Sequence, residues 1–152
     1  EDIAEDVREN TFNIQTAGRN LLSLISDVLD YSELEYGKME LVEEPYNLTS
    51  TINDVINMAI AQKGSKNLEL IVDCDAKIPY TLLGDEQKIR RVILSFVNNA
   101  IKFTEAPGSV TLTVERTAIF GDHSTIKFRI HICIIHRWVF HWHFFLWLRG
   151  YF

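Results

Sequence analysis

The first 34 residues repeat their apolar positions every seven. Ile3, Asn10, Ala17, Leu24 and Tyr31 form one series, and Val7, Ile14, Leu21 and Val28 form another, offset by four. Such an a/d seam over four heptads predicts one long helix across residues 1–34. Leu22, Ile25 and Leu29 widen the stripe toward its C-terminal end. A seam this apolar is buried in a bundle or coiled coil, or laid on a following domain. The rest of the chain offers no second helix of that length. Partner helices are therefore expected from another chain, or from a region outside this sequence.

Gly37 is a helix stop and Pro45 blocks continuation, so residues 37–47 read as a linker between two domains. Beyond it the pattern predicts a helix over 49–62, capped by Thr49 or Ser50 and ended by Gly64, with Ile52, Val55, Ile56 and Ala59 inward. LELIVDCD (68–75) reads as a strand, and a turn follows around Pro79. A helix over 85–104 starts on Asp85 as N-cap. SVTLTVER (109–116) and STIKFRIHI (124–132) are strands joined by a hairpin loop, IFGDH. The order helix–strand–helix–strand–strand, with the last two strands hairpin-linked, predicts an α+β sandwich: a mixed sheet with helices on one face.

Composition changes this picture at one end. After Asp122 the chain contains no acidic residue, and all three tryptophans and four of the nine phenylalanines fall in IIHRWVFHWHFFLWLRGYF. The apolar run WVFHWHFFLWL falls short of the roughly 20 residues a membrane span needs. It has neither helical periodicity nor clean alternation. Residues 133–152 are therefore expected to be an aberrant aromatic tail that stands apart from the fold, with a membrane-surface anchor as the alternative. Its histidines, His136, His141 and His143, have no Cys or carboxylate at the usual spacing, so no structural zinc site is expected.

The net charge of −6 supplies no excess of cations for phosphate backbones, so a nucleic-acid partner is not expected. Cys74 and Cys133 match no zinc or redox spacing and are expected as buried or half-buried thiols in a reducing compartment. The N-terminus, EDIAEDVREN, is acidic where a secretory signal is basic and then apolar. It also lacks an initiator Met, which implies a start inside a longer protein.

The helix over 85–104 holds the candidate chemistry. At 100° per residue, Ile89, Val92, Ile93, Phe96, Ala100 and Phe103 cluster on one side, with Val97 extending that face. Ser95, Asn99 and Lys102 fall together beside it at i, i+4 and i+7, with Lys88 and Arg91 above them. Asn98 lies at the edge of this polar face. An amide oxygen is a hard ligand suited to Mg²⁺, and a lysine one turn on is a point charge for phosphate oxygens. On spacing alone the same residues also fit a solvated helix face.

LLGDEQKIRRVILSFVNNAIKFTE resembles the N-box region of sensor histidine kinases, in the GHKL ATPase superfamily. The family pattern, G-D-x-x-[RK]-[LI]-x-x-[IV]-[LI]-x-N-L-[LVM]-x-N-A-x-K-[FY]-[TS], is met by Gly84, Asp85, Lys88, Ile89, Val92, Ile93, Val97, Asn99, Ala100, Lys102, Phe103 and Thr104. The chain departs from it at Ser95, where the pattern has its first asparagine, and at Phe96. LLSLISDVLDYSELEYGKMEL resembles the family's second dimerisation helix running into its ATP-binding domain, and the variant looks most like hybrid kinases of bacterial phosphorelays. The resemblance covers about residues 10–132. It implies a long dimerisation helix (1–36), a linker (37–47) and the N-terminal part of an ATP-binding domain (48–132).

The resemblance further implies ATP and Mg²⁺ as cofactors. Asn99 would help hold the metal, Lys102 would contact phosphate, and Ser95 would stand in for the first N-box asparagine. Implied partners are a second copy or a kinase helix through residues 1–34, and a response regulator. The implied location is cytoplasmic. The family's chemistry also needs a phosphoacceptor histidine in a context such as H-E-x-R-T-P, and an Asp-x-Gly-x-Gly motif. All five histidines lie beyond the N-box region, and the strand TIKFRIHI runs into CIIHRWVF. The expectation is a truncated fragment that does not autophosphorylate, its tail read from a shifted frame or a foreign junction. A non-catalytic dimerisation module and a membrane-surface protein are the alternatives.

Overall fold

The structure is a computed structural model and describes residues 2–121, 123–134 and 139–150. It divides into two compact units, residues 1–41 and 42–152.

The first unit is helix α1, Asp2–Glu35. Its 34 residues span about 50 Å at the α-helical rise. Gly37, at φ 63°, ends it in the left-handed conformation a side chain resists. Gly37 N–H donates to Leu34 O (3.1 Å) and Lys38 N–H to Glu33 O (2.8 Å), which satisfies carbonyls the helix leaves open. Val7, Ile14, Leu21 and Val28, the second heptad series, are all exposed, as are Leu24 and Tyr31 of the first.

The second unit is an α+β sandwich. Its elements are β1 (Glu44–Tyr46), α2 (Leu48–Lys63), β2 (Leu68–Cys74), β3 (Leu82–Gly84), α3 (Glu86–Phe103), β4 (Gly108–Phe120), β5 (His123–Ile134) and β6 (Val139–Gly150). The sheet order is β1-β3-β6-β5-β4-β2, with β2 and β4 parallel and every other pair antiparallel.

Alternation explains the core. Val110, Leu112 and Val114 on β4 and Ile126, Phe128, Ile130 and Ile132 on β5 are buried, while Thr111, Thr113, Lys127 and Arg129 between them are only half-buried. The buried face packs against Leu48, Ile52, Val55 and Ala59 of α2 and Ile89, Ile93, Val97, Ala100 and Ile101 of α3. β4 runs on to Phe120, past the end expected from sequence, across a register shift between Arg116 and Ala118. The tip of that hairpin includes Gly121, at φ 62°; Asp122 lies outside the described residues.

Three local expectations differ from the structure. Asn47, rather than Thr49 or Ser50, caps α2: its side chain accepts from Ser50 N–H at 2.8 Å. Burying Leu48 in the core pulls the helix start back to that residue. Cys133 is exposed rather than buried or half-buried, while Cys74 is half-buried.

The third concerns the aromatic tail. Val139–Gly150 forms β6, paired with β5 from Cys133↔Val139 to His123↔Arg149 and with β3 through Leu82↔Gly150 and Leu83↔Arg149. Leu148 is buried and Leu146 packs against the core. This part of the tail is an interior strand of the sheet, not a segment apart from it. His136 and the rest of residues 135–138 lie outside the described residues. No helix among the described residues is long and apolar enough to cross a membrane.

Candidate functional site

Asp85 starts α3 as the sequence predicts. Its Oδ1 accepts from Lys88 N–H (3.0 Å), satisfying one of the donors a helix N-terminus leaves open. Its Oδ2 accepts from Val42 N–H (3.2 Å), so one carboxylate ties the helix start to the segment before β1. Burial pushes this carboxyl up, but the hydrogen bonds from Lys88 and Val42 outweigh it and hold Asp85 below its ordinary value.

A depressed carboxylate stabilises the fold above its unfolded value, near pH 4, and that contribution fades as pH falls through the folded value. Asp85→Ala is expected to cost about 1 kcal/mol at pH 7, the usual worth of an N-cap. The gap to wild type should narrow at pH 3. Urea unfolding at both pH values checks this, and an equal gap at both contradicts the role of the charge.

At the next residue, Glu86 Oε1 accepts from Thr51 Oγ1 of α2 (3.1 Å) and from Arg90 Nη2 one turn on (2.5 Å), and Arg90 lies 3.9 Å from Asp54. These links lock α2 to the first half of α3 and orient the rest of the helix. Its buried side is Ile89, Ile93, Val97, Ala100 and Ile101. Opposite runs an exposed line: Val92, Ser95, Asn99, Lys102 and Phe103. The structure thus brings Ser95, Asn99 and Lys102 together on one solvent-facing stripe. Val92 and Phe103, expected inside, bracket it at 39% and 61% exposure. They sit at the margin of the apolar arc, where a small rotation of the helix turns them outward. Lys102 Nζ stands 5.5 Å from the Phe103 ring centroid, a cation–π distance. Lys88 and Arg91 are half-buried above the stripe.

Asn98 behaves differently from its neighbour. It is half-buried, and its Oδ1 is enclosed with no hydrogen-bond partner. It lines an open hollow of about 450 Å³ with Gln62, Lys63, Lys66, Asn99, Ile101 and Lys102. In that hollow Lys66 Nζ donates to Ile101 O at 2.6 Å and lies 3.4 Å from Lys102 O. Sequence reasoning missed Lys66, because it reaches α3 from a turn 35 residues away.

Among the described residues, no three His, Cys, Asp or Glu side chains come together to hold a metal. The exposed stripe of α3 instead offers the Asn99 amide oxygen, the Ser95 hydroxyl and the Lys102 ammonium. The amide and hydroxyl oxygens fit Mg²⁺, which keeps several waters and takes few protein ligands, and the ammonium fits a phosphate oxygen beside it.

No protein-family model matches the chain. The curated protein BarA, a signal transduction histidine-protein kinase of Escherichia coli (strain K12), is 35% identical over 123 residues, which is 81% of this chain and 13% of BarA. The chain belongs to the sensor histidine kinases. Among solved structures, full-length ShkA in complex with AMPPNP shares 30% identity at a TM-score of 0.59, covering 80% of this chain and 26% of ShkA. The histidine kinase ThkA, solved with the response regulator protein TrrA, matches at a TM-score of 0.52 over 73% of this chain and 32% of ThkA. At 22% identity that likeness shows the fold alone. The chain therefore spans only a small share of the length of the sensor histidine kinases it matches.

Proposed function

We propose that this chain carries the second dimerisation helix and the N-box part of the ATP-binding domain of a cytoplasmic sensor histidine kinase. The carrying observation is the exposed line of Ser95, Asn99 and Lys102 on a helix whose opposite side is buried. In this reading the Asn99 amide oxygen is a ligand of Mg²⁺, the Lys102 ammonium binds a phosphate oxygen, and the Ser95 hydroxyl takes the place of a second amide. Mg–ATP supplies the transferable phosphoryl group and the charge that balances it. The chain's own residues bind and orient the phosphates; they include no histidine in the phosphoacceptor context and no Asp-x-Gly-x-Gly motif.

Two outcomes follow. Mg²⁺ with a fluorescent ADP analogue should bind, and Asn99→Ala should weaken that binding about tenfold, the loss of roughly 1.4 kcal/mol. Equal affinity for wild type and variant contradicts the metal role. Incubation with radiolabelled ATP should leave the chain unlabelled, because phosphoryl transfer depends on positioning that a partial site does not supply. A base-stable, acid-labile label on the chain would overturn this.

The exposed Val7, Ile14, Leu21 and Val28 of α1 support the second half of the reading: association with another copy, or with the helix of an intact kinase. Sedimentation equilibrium should show a dimer at micromolar concentration, and a monomer at every concentration tested contradicts association with another copy. A response regulator partner, such as ThkA's TrrA, belongs to the whole kinase.

A further inference from the structure

We propose that Lys66 is a positioning residue for the end of α3 that bears Asn99 and Lys102; the inference rests on the phosphate-facing role proposed above. The last four carbonyls of a helix have no partner within it and fray unless something takes them. Here Ala100 O accepts from both Thr104 N–H (2.9 Å) and Thr104 Oγ1 (2.6 Å). The next carbonyl, Ile101 O, falls to Lys66 Nζ at 2.6 Å, with Lys102 O 3.4 Å from the same nitrogen. An ammonium at this point also meets the negative end of the helix dipole.

The mount for that ammonium is itself closed. Gly64 turns the chain at φ 56°, Lys66 N–H donates to Lys63 O (3.1 Å), and Leu68 N–H donates to Lys66 O (2.8 Å). Lys63 Nζ donates to Leu68 O at 2.6 Å. Lys66 is therefore held from behind while it grips the carbonyls of α3. One of the residues it grips is Lys102, whose side chain faces the stripe. Releasing the grip lets the last turn fray and takes the Lys102 ammonium out of line with Asn99.

The test uses the full chain with Lys66→Met, which keeps the apolar stem and removes the donors, and Lys66→Arg, which keeps the donors. Amide hydrogen exchange by NMR reads the grip directly. Lys66→Met should speed exchange at Phe103 and Thr104 about tenfold, leave Ile52 and Val55 of α2 unchanged, and be largely restored by Lys66→Arg. Mg–ADP titration reads the consequence: Lys66→Met should weaken binding about fivefold, with Lys66→Arg close to wild type. Unchanged exchange in the last turn of α3 overturns the proposal. A loss of affinity without faster exchange also overturns it, because Lys66 would then touch the nucleotide itself. If wild type binds no Mg–ADP, the proposed phosphate role of α3 fails, and the positioning role that rests on it fails too. The exchange result would then report only whether Lys66 caps the helix.

Discussion

Deleting residues 139–152 is expected to abolish cooperative folding of the second unit. β6 stands between β5 and β3, and through β3 it connects β1 to the rest of the sheet. Removing it leaves β5 with an open edge along its whole length and cuts β1 and β3 from β4 and β2. The core also loses Leu148 and the packing of Leu146. Domains of this size hold only about 5–15 kcal/mol of net stability. Loss of an interior strand, with its backbone pairing on both sides, is expected to exceed that. Circular dichroism and urea titration of the shortened chain check it: no cooperative transition is expected. A transition at the same midpoint as wild type contradicts the placement of β6 and returns the segment to a tail outside the fold.

The second large effect is Phe128→Ala, expected to cost about 3–5 kcal/mol. Phe128 is fully enclosed on the helix side of β5, between Ile126 and Ile130 and opposite Val114 of β4. Truncation removes the ring's transfer free energy and leaves a cavity that a sheet paired on both sides cannot collapse to fill. Urea unfolding measures the loss. Val72→Ala, at an exposed edge position, should cost less than 1 kcal/mol in the same assay. A small loss at Phe128 would mean that the core is looser than the buried alternation of β4 and β5 implies.

Much of the architecture was legible because local signals agreed with tertiary structure. Asp85 is both a good N-cap and the true start of α3, and Gly37 and Gly64 stop α1 and α2 at positive φ. The α2 cap was less legible: Asn47, Thr49 and Ser50 are all good cap residues, and only the burial of Leu48 chooses between them. β1 and β3, at three residues each, are too short to show a period. β6 was illegible for another reason. A strand paired on both sides is selected by its neighbours more than by its own pattern, and an aromatic run without acidic residues gives no local sign of which neighbours it has.

The site shows the same division. Ser95, Asn99 and Lys102 share a face by helical spacing alone, so the stripe was readable before the fold. The outward positions of Val92 and Phe103 were not, because the angle of a helix wheel does not fix how deep the helix sits. The enclosed Asn98 Oδ1 and the Lys66 grip depend on α2 and its following turn meeting the end of α3. No spacing within either segment records that meeting.

In the proposed function, the exposed line on α3 is the face that meets Mg²⁺ and phosphate. The most direct measurement is chemical-shift mapping of the ¹⁵N-labelled chain titrated with Mg²⁺ and AMPPNP. Shifts are expected to centre on Ser95, Asn99 and Lys102, to be lost when Mg²⁺ is chelated, and to be strongly reduced in Asn99→Ala. Shifts elsewhere on the sheet with α3 silent, or the same shifts in the variant, would contradict it.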